Sequence, residues 1–513
     1  MSANKLSQKN FHLNEDDSEL MKNKLFFEAL LDKINYIKVD EERMQLAHSA
    51  AVMAVETGTG YYGSGRIEQV FVDIAKKNSI ALSVDYQQKS SLIVMSEASS
   101  IGGHTRVVER WIEIDDDRQY SLVLTRSVNE KLPPRLIADI EKSGGKIYVL
   151  NDGDGWVARG LELRRLASKF ESVVLHIHMD DPIPLIAFGT ADFKRPVGFY
   201  NHADHKFWLG VSVSDLVVDL RTWGRCITNT RRGVPDSFLL TIPSDCRQVS
   251  VVSKVEARKK INISAESKLV LTVGSDFKYK PMLGIDILDT IVPLLESNPA
   301  IVVIGIGMTF DYFPEWKKVS QRFNGRLRAL GCIAHDRLYD YYAASDLVLD
   351  SRPMCGATAL ADAVMCGCPV LTMSNPVGLI DWAMNSVAYC HNREEMVEKA
   401  HRILSDRDCS VFHVKEVTSR LMDSCSESAF KDKLRCFFDE LLSKTHQVRT
   451  FLTGVNEFSE LDRYHLHVGK KRKYHLKFNN FIKIYSERDF FGKRRFIELF
   501  GKQYCVNKSI RKW

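Results

Sequence analysis

The chain has 513 residues, enough for two or three domains with full cores. Its apolar fraction of 45% and charged fraction of 27% are ordinary for a soluble protein, and no apolar run reaches the roughly 18 residues of a membrane helix. Eleven cysteines, an odd count without CxxC pairs, argue against a disulfide framework. The opening MSANKLSQKNFHLNEDDSEL has no signal-peptide-like apolar core, so the expectation is a reduced, cytoplasmic protein. The net charge of +6 is unevenly spread: Arg463–Trp513 holds fifteen Lys and Arg against three acids, +12, which leaves the rest at −6.

Residues 1–80 read as mainly helical, with helical spacing over Glu19–Ile34 and Glu41–Ala54. The glycine-rich Thr57–Arg66 has no assignment. From Ser91 the strands SLIVMSE, SLVLTRS, KIYVL, VVLHIHM, PVGFYNH and DLVVDL appear, the first four interleaved with helices over Thr105–Ile114, Pro134–Lys142 and Arg159–Phe170. A polar stretch around Asp245–Ser267 reads as a connection. A second series follows: LVLTVGS, a helix over Pro281–Leu295, IVVIGIG, a further helix, a short strand around Arg328–Gly331, and Ser345–Met373. Beyond Arg393 the chain reads as helices ending in the basic tail. The expected division is 1–80 helical, 81–250 and 251–400 Rossmann-like, 401–462 helical and 463–513 a basic aromatic tail; alternating strands and helices predict doubly wound parallel sheets, an α/β class.

Chemistry concentrates in Ser345–Met373, SDLVLDSRPMCGATALADAVMCGCPVLTM. Strand Leu347–Leu349 leads into a loop, a helix from about Thr358 to Cys366, and strand Val370–Met373. Gly356 admits a ligand close to the backbone, and the amides of Ala357, Thr358 and Ala359 open a helix, a natural diphosphate site. Asp362, one turn on, is placed to bond a ribose hydroxyl. This segment resembles the donor-binding segment of GT-B-fold glycosyltransferases, especially the O-GlcNAc-transferase-like group, whose pattern is LD-x-P-x-x-x-G-H-T-T-x-x-D…G-x-P-V-V-T. Leu349, Asp350, Gly356, Thr358, Asp362, Gly367, Pro369 and Thr372 fall on it, while Ala357 and Ala359 replace its His and second Thr. The resemblance implies a GT-B architecture: two Rossmann-like domains facing a cleft, the first for acceptor and the second for nucleotide sugar, with helical extensions at both ends.

Other segments join this reading. Val273–Pro281, VGSDFKYKP, carries Lys278 at the same offset from a proline as that group's phosphate-binding lysine, with Lys280 as the alternative. Gly305 and Gly307 follow a strand as nucleotide-binding turns do, or serve strand-to-helix packing. Cys332–Asp336 lies where GT-B enzymes meet the base. Gly102 and Gly103, then His104, resemble the GT-B loop that touches donor phosphates or acceptor, with His104 as a candidate general base. His202, Asp204 and His205, beside Phe207 and Trp208, suggest acceptor binding or proton transfer with Trp208 as a sugar-stacking face; a metal is the alternative. His176 and His178 share one strand face, lining the cleft or packing in it. Asp152-x-Asp154 is either a metal-holding pair or a turn.

The tail interleaves cations with eleven aromatics, which suits an anionic membrane surface or RNA; the membrane is preferred and no specific nucleic acid is expected. The expected activity is an inverting, metal-independent transfer from a nucleotide-diphosphate sugar, UDP-linked, to an acceptor hydroxyl. The expected acceptor is a lipid-linked glycan in surface-polysaccharide assembly, with no cofactor beyond the nucleotide-sugar co-substrate. The alternatives are a protein glycosyltransferase and a non-catalytic nucleotide-sugar or nucleic-acid binder.

Overall fold

The computed structural model describes residues 15–513 apart from 79, 81, 83–84, 100–102, 127–131, 245–251, 375–377, 379, 456, 469–470, 479–481, 490–491, 500–501 and 511–513. The first half is one parallel sheet of seven strands: β1 (Gln87–Met95), β2 (Gln119–Leu124), β3 (Ile147–Val149), β4 (Phe170–His176), β5 (Val197–Asn201), β6 (Leu216–Asp219) and β7 (Phe238–Leu239). Their order is β3-β2-β1-β4-β5-β6-β7. The second half is a parallel sheet of β8 (Lys268–Val273), β9 (Ile301–Ile306), β10 (Leu327–Ala329), β11 (Leu347–Leu349), β12 (Val370–Met373) and β13 (Tyr389–Cys390), in the order β10-β9-β8-β11-β12-β13. Both halves reverse direction beside their first strand, at β1/β4 and at β8/β11. In a doubly wound sheet that reversal opens a crevice at the carboxyl ends of the strands.

Strand cores are aliphatic and buried on both faces, as parallel sheets between helical layers require. The N-terminal helices Glu15–Ile34, Asp40–Glu56 and Gly65–Lys77 pack on one face of the first sheet, through Phe27, Leu31, Ile67 and Phe71. The opposite face is covered by Gly103–Ile114 and by the distant helix Glu427–Leu442. In that distant helix Phe430, Leu434, Phe437, Phe438 and Leu441 recur at helical spacing and surround Trp111. The chain therefore returns to the first half after Arg407–Cys425 has packed on the second.

Two local expectations change, and two segments without an assignment gain one. The connection is shorter than Asp245–Ser267, because Ser253 and Glu256 form a capping box that starts a helix at Lys254, and Arg258 ties it to Asp346 at 2.6 Å. The helix expected over Pro281–Leu295 begins only at Leu288, after a turn in which Met282 pairs with Ile285. The basic tail, to which the sequence reading assigns no secondary structure, forms an antiparallel meander of β14 (Lys471–Phe478), β15 (Ile482–Asp489), β16 (Gly492–Leu499) and β17 (Lys502–Ile510). The glycine-rich Thr57–Arg66 is a packing seam for the C-terminal chain. A Cβ on Gly58 would crowd Leu20 and the backbone of Asp462, and one on Gly65 would collide with the Phe451 carbonyl.

Gly65→Ala should therefore cost about 1–3 kcal/mol of stability through overpacking, read by urea unfolding; an unchanged midpoint would show that the seam yields freely.

Candidate active site at the cleft

Two loops leave the carboxyl ends of β8 and β11 and meet. After β8, Asp276–Tyr279 forms a 3-10 turn whose Tyr279 hydroxyl lies 3.1 Å from Thr272 Oγ1, fixing the turn against its strand. After β11, Asp350 is buried and braces the second loop. Its Oδ1 accepts the Gly356 amide at 2.7 Å and its Oδ2 accepts the Thr372 hydroxyl at 2.6 Å. Burial raises the Asp350 pKa, against the pull of those two bonds. Lys278 Nζ then donates to the Cys355 carbonyl at 3.1 Å, two residues before the helix Ala357–Met365.

That helix has Gly356 at its N-cap and no side-chain cap, so its first amides have no intrahelical acceptor and carry the positive end of the helix dipole. Lys278 and the amides of Ala357 and Thr358 thus share one crevice. Thr358 is exposed and Asp362 half-buried one turn further in. Lys280 does something else: its Nζ donates to the His467 carbonyl at 2.9 Å, holding the helix Glu460–Val468. Gly305 is a correction, since it is buried within β9 and a Cβ there would press on Trp316 and Met308. Gly307 takes φ +88°, and a Cβ there would collide with the Gly274 carbonyl, so its need for glycine is also steric.

The first half contributes a histidine cluster at the carboxyl ends of β1, β4 and β5. His104, at the start of Gly103–Ile114, stacks on His202 with centroids 3.8 Å apart and planes 14° apart. Gly103 opens the same helix, and Gly102 lies outside the described residues. His176 is fully buried, 5.9 Å from His104, stacked on Tyr200 and met edge-on by Trp111. His178 lies 3.3 Å from Glu97. Burial, then neighbouring imidazoles, lowers these rings: His202 to about 4, His176 to about 3 and His104 well below its ordinary value. All three are neutral at pH 7. His104 Nε2, His202 Nδ1 and both His176 nitrogens are buried without a protein partner.

Asp204 is not a free base. Both its oxygens accept from Arg221, at 2.6 and 2.9 Å, and although burial works against the charge, Arg221 holds the carboxyl well below the usual range. His205 lies 3.4 Å from the same carboxylate, and His465 approaches the His205 carbonyl. Trp208 corrects the sugar-stacking expectation: it is buried, stacked on Phe199 at 4.0 Å. Asp152 and Asp154 sit in a turn after edge strand β3, with Asp152 paired to Arg159 at 2.9 Å. Among the described residues, Asp115–Asp117 is the one acidic grouping close enough to hold an ion. It lies apart from the cleft and pairs with Lys431, Arg435 and Tyr120.

Arg221 was missed by the sequence reading, and it joins the halves. Beyond Asp204 its Nη1 reaches Cys355 Sγ at 3.6 Å, in the loop that Lys278 holds. Thr222 adds two bonds to Asp381, at 2.7 and 3.0 Å, and Tyr62, Trp223, Met282, Met354 and Tyr464 pack together at the junction.

Compared with solved structures, the chain matches Anabaena HepE in complex with UDP and glucose at 15% identity and TM-score 0.53, covering 69% of this chain and 100% of that one. The fold is GT-B. A glycosyltransferase from Rickettsia africae matches at 11% identity and TM-score 0.54 over 70% of this chain and all of its own. A Thermobaculum terrenum O-GlcNAc transferase variant matches at 14% and 0.52 over 83% of each chain. No protein-family model and no curated protein sequence matches the chain. Within the GT-B fold, the crevices at β1/β4 and β8/β11 are the two sides of the interdomain cleft.

The buried imidazoles set a pH response. Below pH 6.5 the unfolded chain takes up protons that folded His176 and His202 refuse, so stability is full above 6.5 and falls as pH drops toward 4 and 3. Between pH 7.5 and 5.0, His176→Phe should lose about 2 kcal/mol less than the wild type, by urea unfolding at both pH values; equal losses would show that His176 titrates normally.

Proposed function

We propose that this protein is a glycosyltransferase that moves a sugar from a nucleotide-diphosphate donor, a UDP-sugar, to an acceptor hydroxyl. The observation that carries this is the junction of Lys278 with the uncapped helix at Ala357, across the cleft from neutral His104 and His202. The UDP and glucose bound to the structurally similar HepE support a donor of that class.

The roles follow from the geometry. The amides of Ala357 and Thr358 and the Lys278 ammonium take the diphosphate; as the sugar departs, charge grows on the leaving phosphate, and Lys278 offsets it. Gly356 keeps the approach open, and Asp362 takes a ribose hydroxyl. On the acceptor side, His104 has a neutral ring and an unpartnered Nε2, the form that accepts a hydroxyl proton. His202 supports that ring by stacking. Asp204, Arg221 and His205 act as positioning residues, holding the acceptor loop against the donor loop. Lysine and helix dipole neutralise the diphosphate without a metal, and direct attack by the acceptor gives inversion.

The transferred group is a hexosyl or N-acetylhexosaminyl unit, and the acceptor a lipid-linked glycan in surface-polysaccharide assembly. The enzyme works on the cytoplasmic side, peripheral to an anionic membrane through its basic tail. No helix among the described residues is long and apolar enough to cross a membrane.

Screening a panel of nucleotide sugars for nucleotide release and thermal stabilisation tests the reading. A UDP-sugar should stabilise the protein, and Lys278→Ala should cut kcat by about 10²–10³-fold. Because burial holds His104 well below its ordinary pKa, the acid limb of kcat/KM should lie on the acid side of the ordinary histidine range and vanish in His104→Ala. Full turnover in Lys278→Ala would refute the assignment.

A further inference from the structure

The four-stranded C-terminal sheet carries the positive charge of the chain, and its register sorts that charge between two faces. Cross-strand partners share a face, and alternate residues along a strand change face. Ile482 pairs with Phe478 and Leu499, and Ile484 with Leu476 and Ile497, so six apolar residues stand together at one end of one face. Two residues further along β15 the same face continues with Ser486, paired to Lys473 and Arg495, and then with Arg488, paired to Lys471 and Lys493. That end carries five cations, and Lys502 joins the face opposite Leu499.

All three acids of the four strands fall on the other face: Glu498 pairs with Lys483, Glu487 with Arg472 and Arg494, and Asp489 with Gly492. The aromatic row Tyr474–Tyr485–Phe496 falls there too. One face is therefore apolar at one end, where Phe478 and Tyr504 join the aliphatic residues, cationic at the other and free of acids; the opposite face mixes the aromatic row with five cations, Arg472, Lys477, Lys483, Arg494 and Lys508, and all three acids.

We propose that the acid-free face is a membrane-docking surface for an anionic leaflet, its apolar end at the headgroup–acyl boundary and its cationic end among lipid phosphates. This rests on the reading above that the tail meets a membrane. Apolar residues beside a block of cations on one surface are the two parts of an interfacial anchor. A single-stranded nucleic acid is the poorer partner, because the face that sets an aromatic row among cations also carries the acids, which repel phosphates. Here the register puts the aromatic row on the side that holds every acid.

The test is co-sedimentation of the full chain with phosphatidylcholine vesicles, with and without phosphatidylglycerol. The wild type should bind only the anionic vesicles. The pair Lys473→Glu and Arg495→Glu, on the acid-free face, should weaken binding roughly a hundredfold, while Lys483→Glu and Arg494→Glu, an equal charge change on the other face, should weaken it less than about tenfold. Equal losses from the two pairs, equal binding to neutral vesicles, or release of the wild type by single-stranded RNA would each overturn the assignment. UDP-induced thermal stabilisation is read in parallel. If it persists while vesicle binding shows no face dependence, the docking surface alone fails; if it is absent while face dependence holds, the donor reading alone fails.

Discussion

The candidate site depends on one buried carboxylate. Asp350 leaves strand β11 and spends its two oxygens on a backbone amide six residues ahead and on a hydroxyl from the next strand. Burying that group is costly unless its oxygens are satisfied, and satisfying them draws the loop Ser351–Gly356 into a fixed curve. The curve presents the Cys355 carbonyl to Lys278 and leaves the helix at Ala357 uncapped. An uncapped helix end, a lysine and a crevice between diverging strands together make a focus of positive potential. It exists because a negative group is hidden behind it.

The second constraint is that the halves are tied across the cleft. Arg221 is bidentate to Asp204 in the first half and reaches Cys355 in the second. Asp204 thereby supports two loops: its own, which carries His202 and His205, and the donor-side loop through Arg221. The imidazoles opposite are neutral because they are buried. On the proposed function this separation is useful, since cations collect on the diphosphate side and proton acceptors on the hydroxyl side. The fold positions these groups through loops at the two strand-order reversals, where a doubly wound sheet has room for a ligand.

Much of this was legible in the sequence where partners are local. Asp350, Gly356 and Thr372 lie within one strand–helix–strand unit, so their spacing carries their geometry, and Lys278 is set by its distance from the end of β8. Long-range partners leave no such trace. Arg221 reads as an ordinary arginine until Asp204 and Cys355 meet it, and the glycines at 58–65 are explained by residues some 390 positions away. Trp208 looked like a sugar-stacking face because it follows the His202–His205 cluster, yet it stacks on Phe199 in the core. The tail did carry a signal: Ile482-Lys-Ile484 and Ile497-Glu-Leu499 alternate apolar and polar as strands do, which the density of charge obscured.

The most direct test of the account is a crystal structure of this protein with UDP bound. The account predicts the diphosphate at the start of the helix Ala357–Met365, with an oxygen within about 3 Å of Lys278 Nζ and another on the Thr358 amide. A diphosphate seated elsewhere in the cleft, with Lys278 still bound to the Cys355 carbonyl, would contradict it.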